Sequence, residues 1–264
     1  MESAPAAAKT GRNDIVFLSD PLPQPDQHSY FDLVSFDHFW VARRFEVLRK
    51  LAGSILKEQR RFCEIGCGNG ILQRQLELDG VDVDGIEVSM EALQHNYSRD
   101  GTLYCYDIFE KHPSLREKYD GVLLFDVLEH IVDDAAFLRA ATFHLKPGGH
   151  VLINVPARPE LFSAYDRAAG HRRRYNKRAL LQLMNKAGLR MVNYTYWGLP
   201  LYPVLVARKM ILGTLYRGRR YTAGFRPAGA WVNSIMRIVS RLEYLPQRIL
   251  GISLLGVAVK DSSK

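Results

Sequence analysis

Glu64-Ile65-Gly66-Cys67-Gly68-Asn69-Gly70 is the stretch that most limits what this chain can become. The apolar run from Phe62 to Ile65 predicts a short buried strand, and Ile71-Leu72-Gln73-Arg74-Gln75-Leu76 predicts the first turns of a helix. Between them glycine stands at every second position, 66, 68 and 70. Glycine admits φ > 0 and lets backbone approach a ligand with no Cβ in the way. A strand, a glycine turn and a helix N-terminus in that order make a nucleotide-shaped cradle. The spacing then separates two kinds of nucleotide. A dinucleotide cradle reads G-x-G-x-x-G and delivers a pyrophosphate to the helix N-terminus. Here the pattern is E-x-G-x-G-x-G, and a carboxylate at Glu64 repels a pyrophosphate but suits a ligand with a cationic amino group.

This pattern resembles the first motif, [DE]-x-G-x-G-x-G, of the class I S-adenosylmethionine-dependent methyltransferases. The resemblance implies that Glu64, Gly66, Cys67, Gly68 and Gly70 border the S-adenosylmethionine site. A second strand, Val81 to Glu87, ends on an acid. In a doubly wound fold an acid roughly 20 residues past the glycine turn holds the ribose hydroxyls. Glu87, followed by Val88, is expected in that role, against the plainer reading of a solvated strand-end glutamate. The third strand, Gly101 to Tyr106, ends at Asp107-Ile108. Asp107 is either a turn former or an acceptor for the exocyclic amine of adenine, with Ile108 packed on the ring.

The fourth strand, Tyr119 to Phe125, is an almost continuous apolar run, as a central parallel strand should be. It leads into Asp126-Val127-Leu128-Glu129-His130, similar to the D-V-L-E-H segment of small-molecule methyltransferases. Ligands bind at the carboxyl ends of strands in open α/β sheets, so Asp126, Val127 and His130 are expected to face the methyl donor. His130 is placed one helical turn beyond that edge, as a contact or general base or else as a structural histidine. Further on come Leu145-Lys146-Pro147-Gly148-Gly149, Val155-Pro156-Ala157, Leu161-Phe162-Ser163-Ala164-Tyr165-Asp166 and Gly170-His171-Arg172-Arg173-Arg174-Tyr175. With His38-Phe39-Trp40, these resemble a bacterial and archaeal subgroup of the same superfamily over roughly residues 30 to 260, although Tyr165 stands where histidine is more usual. His171, Arg173 and Tyr175 alternate, with Asp166 as a partner, which makes a buried polar network or a substrate anchor. Trp40, Tyr165, Asp166, Arg173 and Tyr175 are the candidate acceptor contacts, and Trp40 is either a lid or core packing. Arg43 or Arg44 is expected to meet the cofactor carboxylate, with Arg44 preferred. An oxygen nucleophile gains from a base of pKa near 7, which makes His130 and His171 the candidate catalytic groups.

These signals predict a Rossmann-like α/β fold. Its seven-stranded, mostly parallel sheet carries helices on both faces, and its last strand, Ser253 to Lys260, runs antiparallel. Residues 1–27, rich in Ala and Pro, are expected to be a disordered arm, and 28–264 a single methyltransferase domain. Residues 198–250 form an insertion between strands six and seven, with helices over Tyr202 to Tyr216 and Trp231 to Leu245 that roof the acceptor site. This insertion holds nine basic residues and one acid, Glu243, so it alone accounts for the net charge of +8. Such a cluster speaks of partners, here an anionic or lipid-like acceptor or a peripheral contact with anionic lipid, with Arg219 and Arg220 prominent.

No metal-ligand spacing is visible, and three cysteines without a zinc pattern suggest reduced thiols in a cytoplasmic protein. No apolar stretch is long enough to span a membrane. The N-P-P-Y motif of DNA and amide methyltransferases and a Pro-Cys nucleophile are both absent, so nucleic acid is an unlikely partner. The expected activity is methyl transfer from S-adenosylmethionine to a small lipid-like, polyketide-like or glycosylated acceptor, by default at oxygen. The alternatives are a noncatalytic S-adenosylmethionine-binding module, an RNA methyltransferase and a nicotinamide-dependent oxidoreductase.

Overall fold

The central strand shows how the layers form. Tyr119–Phe125 (β5) sends Val122 and Leu124 into the apolar core on one face of the sheet and Leu123 and Phe125 into the core on the other. Successive side chains on a strand point to opposite faces, so an unbroken apolar strand needs a cover on both. In a computed structural model describing residues 15–22, 36–58, 61–215 and 229–261, helices supply both covers. Phe39–Glu58 (α1) and Ile71–Leu78 (α2) bury Val47, Leu48, Ala52, Leu72 and Leu76 on one side. Asp134–Phe143 (α4) and Lys177–Lys186 (α6) bury Leu138, Ala141, Leu180 and Met184 on the other.

The sheet has eight strands in the order β1-β4-β3-β2-β5-β6-β8-β7. β2 is Phe62–Ile65, β3 Val83–Glu87, β4 Leu103–Cys105, β6 Leu145–Pro156, β7 Leu189–Trp197 and β8 Ser253–Lys260. β1 to β6 run parallel, and β8 lies antiparallel between β6 and β7. The expected antiparallel last strand is therefore present, within a sheet one strand larger than expected.

The additional strand corrects the reading of the N-terminal arm. Ile15–Phe17 (β1) pairs with β4, Val16 opposite Tyr104. Three β-prone residues close an edge that β4 would otherwise expose, a signal lost when composition is averaged over 27 residues. The remainder of that arm, and residues 216–228 with Arg219 and Arg220, lie outside the described residues. Two smaller helices, Met90–Gln94 (α3) and Ala164–Ala168 (α5), begin at Ser89 and Ser163, whose side chains cap them. The insertion carries Tyr202–Leu215 (α7) and Ala230–Val239 (α8). α8 stops six residues short of expectation, and a turn at Ser240 aims Glu243 inward.

At the amino end of the strands, far from the glycine turn, Asp84 is almost fully buried. It accepts hydrogen bonds from Tyr119 Oη at 2.8 Å, Thr102 N at 3.0 Å and Arg61 Nη2 at 3.1 Å, with Lys118 Nζ at 3.3 Å. Asp84→Ala is expected to cost about 2 kcal/mol, because partly exposed Arg61 and Lys118 can turn to water while Tyr119 and Thr102 lose a charged acceptor. Urea denaturation checks this, and an unchanged midpoint contradicts it.

Candidate active site

Gly66, Gly68 and Gly70 have φ of 73°, 53° and 71°, all in the left-handed region. That sharp path between β2 and α2 is open to glycine at little cost. At Gly66 the constraint is doubled, because a Cβ there would lie 2.7 Å from Val127 Cγ2. Two acids meet this turn. Glu87, at the end of β3, accepts hydrogen bonds from Gly68 N at 3.0 Å, Val88 N at 2.8 Å and Ser89 N at 3.0 Å. Burial still raises its pKa against those three donors. Glu64, in β2, is buried, and its Oε2 has no hydrogen-bond partner among the described residues. Burial lifts its pKa to about 8, although the positive charge of Arg44 acts the other way. An orphaned carboxyl oxygen behind a glycine turn is the position a cationic ligand group would occupy.

The same turn touches the end of β4. Asp107 Oδ1 accepts from Phe109 N at 2.9 Å and so starts a short turn, while its own N–H donates to Ser19 Oγ at 2.9 Å. The turn-forming reading of Asp107 is thus realised, and Ile108 is buried in the core. Leu22 N donates to Val88 O at 3.1 Å, so residues 18–22 run along the carboxyl ends of β3 and β4 beside the two acids. Sequence reasoning did not find this border. Its signal was the short Ile15-Val16-Phe17 run before Ser19.

Asp126, directly after β5, has φ of 58°. Two partners hold it there. Arg44 Nη1 reaches its Oδ2 at 2.6 Å, and Asn154 Nδ2 donates to its Oδ1 at 2.6 Å. Asn154 Oδ1 in turn accepts from Trp197 Nε1 at 2.9 Å, and Trp197 stacks on Trp40 with centroids 4.1 Å apart. Arg44 is therefore the member of the pair that reaches the site, but onto Asp126. Arg43 is turned away and pairs with Glu243 at 3.2 Å and Glu46 at 3.1 Å. Trp40 packs on the core and keeps part of its surface exposed. Asn154 was not foreseen because only the fold puts the end of β6 beside the end of β5.

Val127 to His130 form a turn rather than the start of a helix, with His130 N donating to Val127 O at 3.0 Å. Helix α4 begins only at Asp134, after Asp133 caps it. His130 meets His171 edge to face, with ring centroids 4.9 Å apart. The ring reaches solvent in part, yet desolvation and the neighbouring imidazole lower its pKa to about 4, so it is neutral at pH 7. His171 is oriented by an acid, its Nδ1 lying 3.1 Å from Asp166 Oδ1. Because a carboxylate only accepts, Nδ1 carries the proton and Nε2 presents its lone pair. Burial pushes the Asp166 carboxyl up, but hydrogen bonds and charge from His171 and Arg174 hold it down at about 2. Arg174 Nε binds Asp166 Oδ1 at 2.7 Å.

Two expected acceptor contacts serve the fold instead. Tyr175 is buried, with its hydroxyl 2.8 Å from Asp134 Oδ2 and 3.1 Å from Leu128 O. Arg173 donates to Val132 O at 2.8 Å and Ile131 O at 3.1 Å and pairs with Asp134 at 2.8 Å. Of the two readings of this loop, the polar network describes Arg173, Arg174 and Tyr175. They clamp it onto the turn that carries His130. Tyr165 sits half-buried on α5 next to Asp166. Glu129, passed over in the sequence, is buried, with an unpartnered Oε2 and a pKa that burial and nearby Asp126 push well above the usual range. Ligand atoms of Glu129, His130 and His171 lie within 4.8 Å of one another. Spacing could not reveal this possible donor set, whose third member comes 41 residues after the second.

The sequence profile of the methyltransferase-domain family matches residues 36–194, more than half of the chain. The chain belongs to this family. Its methyltransferase domain is 32% identical over 117 residues to a ubiquinone biosynthesis O-methyltransferase of Serratia proteamaculans, a match covering 42% of this chain and 48% of that protein. A protein of the same name from Yersinia pestis is 31% identical over 117 residues, 42% of this chain and 48% of its own. The chain thus spans about half the length of the curated relatives it matches. A solved S-adenosylmethionine-dependent methyltransferase from Thermotoga maritima, titled a possible histamine N-methyltransferase, superposes with a TM-score of 0.56 at 17% identity, covering 89% of this chain and 100% of its own. One from Archaeoglobus fulgidus gives 0.53 at 18% identity, covering 84% and 96%. These two likenesses concern the fold, and with the family match they account for the doubly wound sheet read from the sequence.

Glu64 provides a test in the free protein. Its folded pKa of about 8 lies above the ordinary 4.5, so the fold keeps a proton that the unfolded chain releases. Its contribution to stability is then fully present at low pH and declines between those two values. Glu64→Gln should remove that part of the decline. Parallel pH–stability profiles of the two proteins would contradict the assignment.

Proposed function

We propose that this protein transfers a methyl group from S-adenosylmethionine to a hydroxyl oxygen of an apolar, lipid-like or polyketide-like small molecule. The observation that carries the reading is the buried, unpartnered oxygen of Glu64 behind a turn of three left-handed glycines. A cationic amino group there converts an unfavourable buried carboxyl into a paired one. In this reading Glu64 and Asp126 bind the amino end of the donor, Arg44 its carboxylate and Glu87 the ribose hydroxyls. Gly66, Cys67, Gly68, Gly70, Val88 and Val127 line its path, and Asp107 and Ile108 border the adenine. When bound, S-adenosylmethionine supplies a methyl carbon already activated by a sulfonium, which leaves alignment and deprotonation to the protein.

His171, aligned by Asp166, takes the acceptor's hydroxyl proton on Nε2, and neutral His130 beside it shapes the approach. Oxygen is favoured by this acid-oriented imidazole and by the O-methyltransferase names of the curated relatives. An apolar acceptor fits the cluster of Leu161, Leu201 and Ile252, against which Trp40, Tyr202 and Met236 pack with part of their surface exposed. Tyr165 is retained as an acceptor contact. The basic segment 198–250 belongs to the same reading as an acceptor-site cap and peripheral contact with anionic lipid. Three free, buried cysteines suit a reducing, cytoplasmic setting.

Calorimetry should detect binding of S-adenosylmethionine and its demethylated product but not of NADH, and Gly66→Ala should abolish it. Binding of NADH alone would move the chain to the oxidoreductases. His171→Asn should keep donor binding and lower turnover of a phenolic acceptor by on the order of a hundredfold or more. Wild-type turnover points against His171 as base. The reading is metal-independent, so dialysis against a chelator should leave activity intact. Loss restored by a divalent ion would reassign Glu129, His130 and His171 as ligands.

A further inference from the structure

Helix α8 has two faces of unlike chemistry. Asn233, Met236, Arg237 and Ser240 turn toward the protein. Asn233 Oδ1 accepts from Phe39 N at 2.8 Å, Asn233 Nδ2 and Arg237 Nη2 both donate to Asp37 O at 2.7 Å, and Met236 joins the apolar cluster near Trp40. These contacts fix the rotation of the helix. The opposite face carries Trp231, Ile235 and Ile238, and Leu242 follows in the next turn. At 100° per residue these four lie within an arc of about 60°. They are 71%, 50%, 66% and 76% exposed. Tyr244 and Ile249 extend the apolar surface and are more exposed still. Large apolar side chains are normally scattered on a monomer's surface, and a contiguous row of them marks a contact.

Charge says which contact. Of the nine basic residues between 198 and 250, Arg237, Arg241 and Arg248 belong to α8 and the segment that follows it. Arg237 and Arg248 bond to the neutral oxygens Asp37 O and Asn193 Oδ1, so their charge is not cancelled there. Arg241 pairs with Glu46 of α1. The one acid of the segment, Glu243, is buried, where it accepts from Gly198 N at 2.9 Å and Leu199 N at 2.8 Å and pairs with Arg43. The apolar row is therefore bordered within its own segment by cations alone.

We infer that the Trp231–Ile235–Ile238–Leu242 face of α8 docks on an anionic lipid surface, its apolar side chains entering the headgroup boundary and Arg237 and Arg248 meeting lipid phosphates. An interfacial helix of this kind has a tryptophan and aliphatic residues on one face and basic residues beside it. The inner side of the same helix reaches the apolar cluster beside Trp40, so docking brings the membrane next to the acceptor region. To that extent the inference rests on the lipid-like acceptor proposed above.

The test uses the full chain, vesicles of phosphatidylcholine with phosphatidylglycerol, and vesicles of phosphatidylcholine alone. Tryptophan emission should shift to the blue on the anionic vesicles only. The shift should vanish in Trp231→Phe, which leaves Trp40 and Trp197 in place. Ile235→Ser with Ile238→Ser should weaken vesicle partition by on the order of tenfold or more while preserving the thermal melt, as exposed positions allow. Three outcomes overturn the inference: no shift on either vesicle, equal shifts on both, and a blue shift without vesicles that grows with protein concentration. The last would mean that a second copy covers the face. Binding of S-adenosylmethionine in plain buffer reads the proposed function separately, so either idea can fail while the other stands.

Discussion

Asp126 is the residue on which the site's geometry depends. It stands where β5 ends and holds a left-handed backbone that a non-glycine residue adopts only when its surroundings enforce it. Arg44 from α1 and Asn154 from β6 enforce it by taking one carboxylate oxygen each. Asn154 passes the constraint to Trp197 at the end of β7, and Trp197 passes it to Trp40 by stacking. One short chain of polar and aromatic contacts therefore fixes the carboxyl edges of three strands against the helix that crosses them. The glycine turn answers to the same chain, because Val127, next to Asp126, fills the space that a Cβ on Gly66 would need.

A second acid, Asp166, does comparable work on the far side. It caps α5 through Ser163 N at 2.9 Å, orients His171 and anchors Arg174. The arginine-rich loop is then tied to the turn after β5, with Arg172 N donating to Glu129 O at 2.7 Å. His130 and His171 come from segments 41 residues apart, and this clamp is what makes them neighbours. Structural and chemical roles are not separable here, since one carboxylate sets both the loop's path and the tautomer of the imidazole it carries.

The sequence was most legible where chemistry and local backbone coincide. A strand, alternating glycines and an acid at fixed distance lie within 24 residues, and local geometry alone brings Glu64, Gly68 and Glu87 together. It was less legible where a residue type serves equally well in two roles. Arg173 and Tyr175 alternate with His171 in the chain, but a loop that is not a strand does not keep alternate residues on one side. Their side chains instead satisfy Asp134 and the carbonyls of residues 128, 131 and 132. Glu129, Asn154 and the segment at Ser19 were missed for a different reason. Their neighbours come from distant parts of the chain, and only the strand order makes them adjacent. The N-terminal strand adds a matter of scale, because three residues of β-prone sequence disappear in a composition taken over the whole arm.

The buried acids of this protein fall into two groups, and the division points to the site without reference to any motif. Asp84, Asp166 and Glu243 each have a cation inside the fold: Arg61 and Lys118, Arg174, and Arg43. Their burial is compensated and their work is structural. Glu64 and Glu129 each keep a buried oxygen that nothing in the described chain meets. An uncompensated buried carboxyl disfavours the fold, and a protein that stands only a few kcal/mol above unfolding does not carry two of them without a use. Both flank Asp126, whose negative charge raises the pKa of each, and Arg44 is the cation that acts on both. One side of that acidic pocket is the glycine turn and the other is the histidine pair. A ligand that brings positive charge to the first side and a proton to the second would relieve the imbalance the free protein carries, and a sulfonium donor with a hydroxyl acceptor has that distribution of charge.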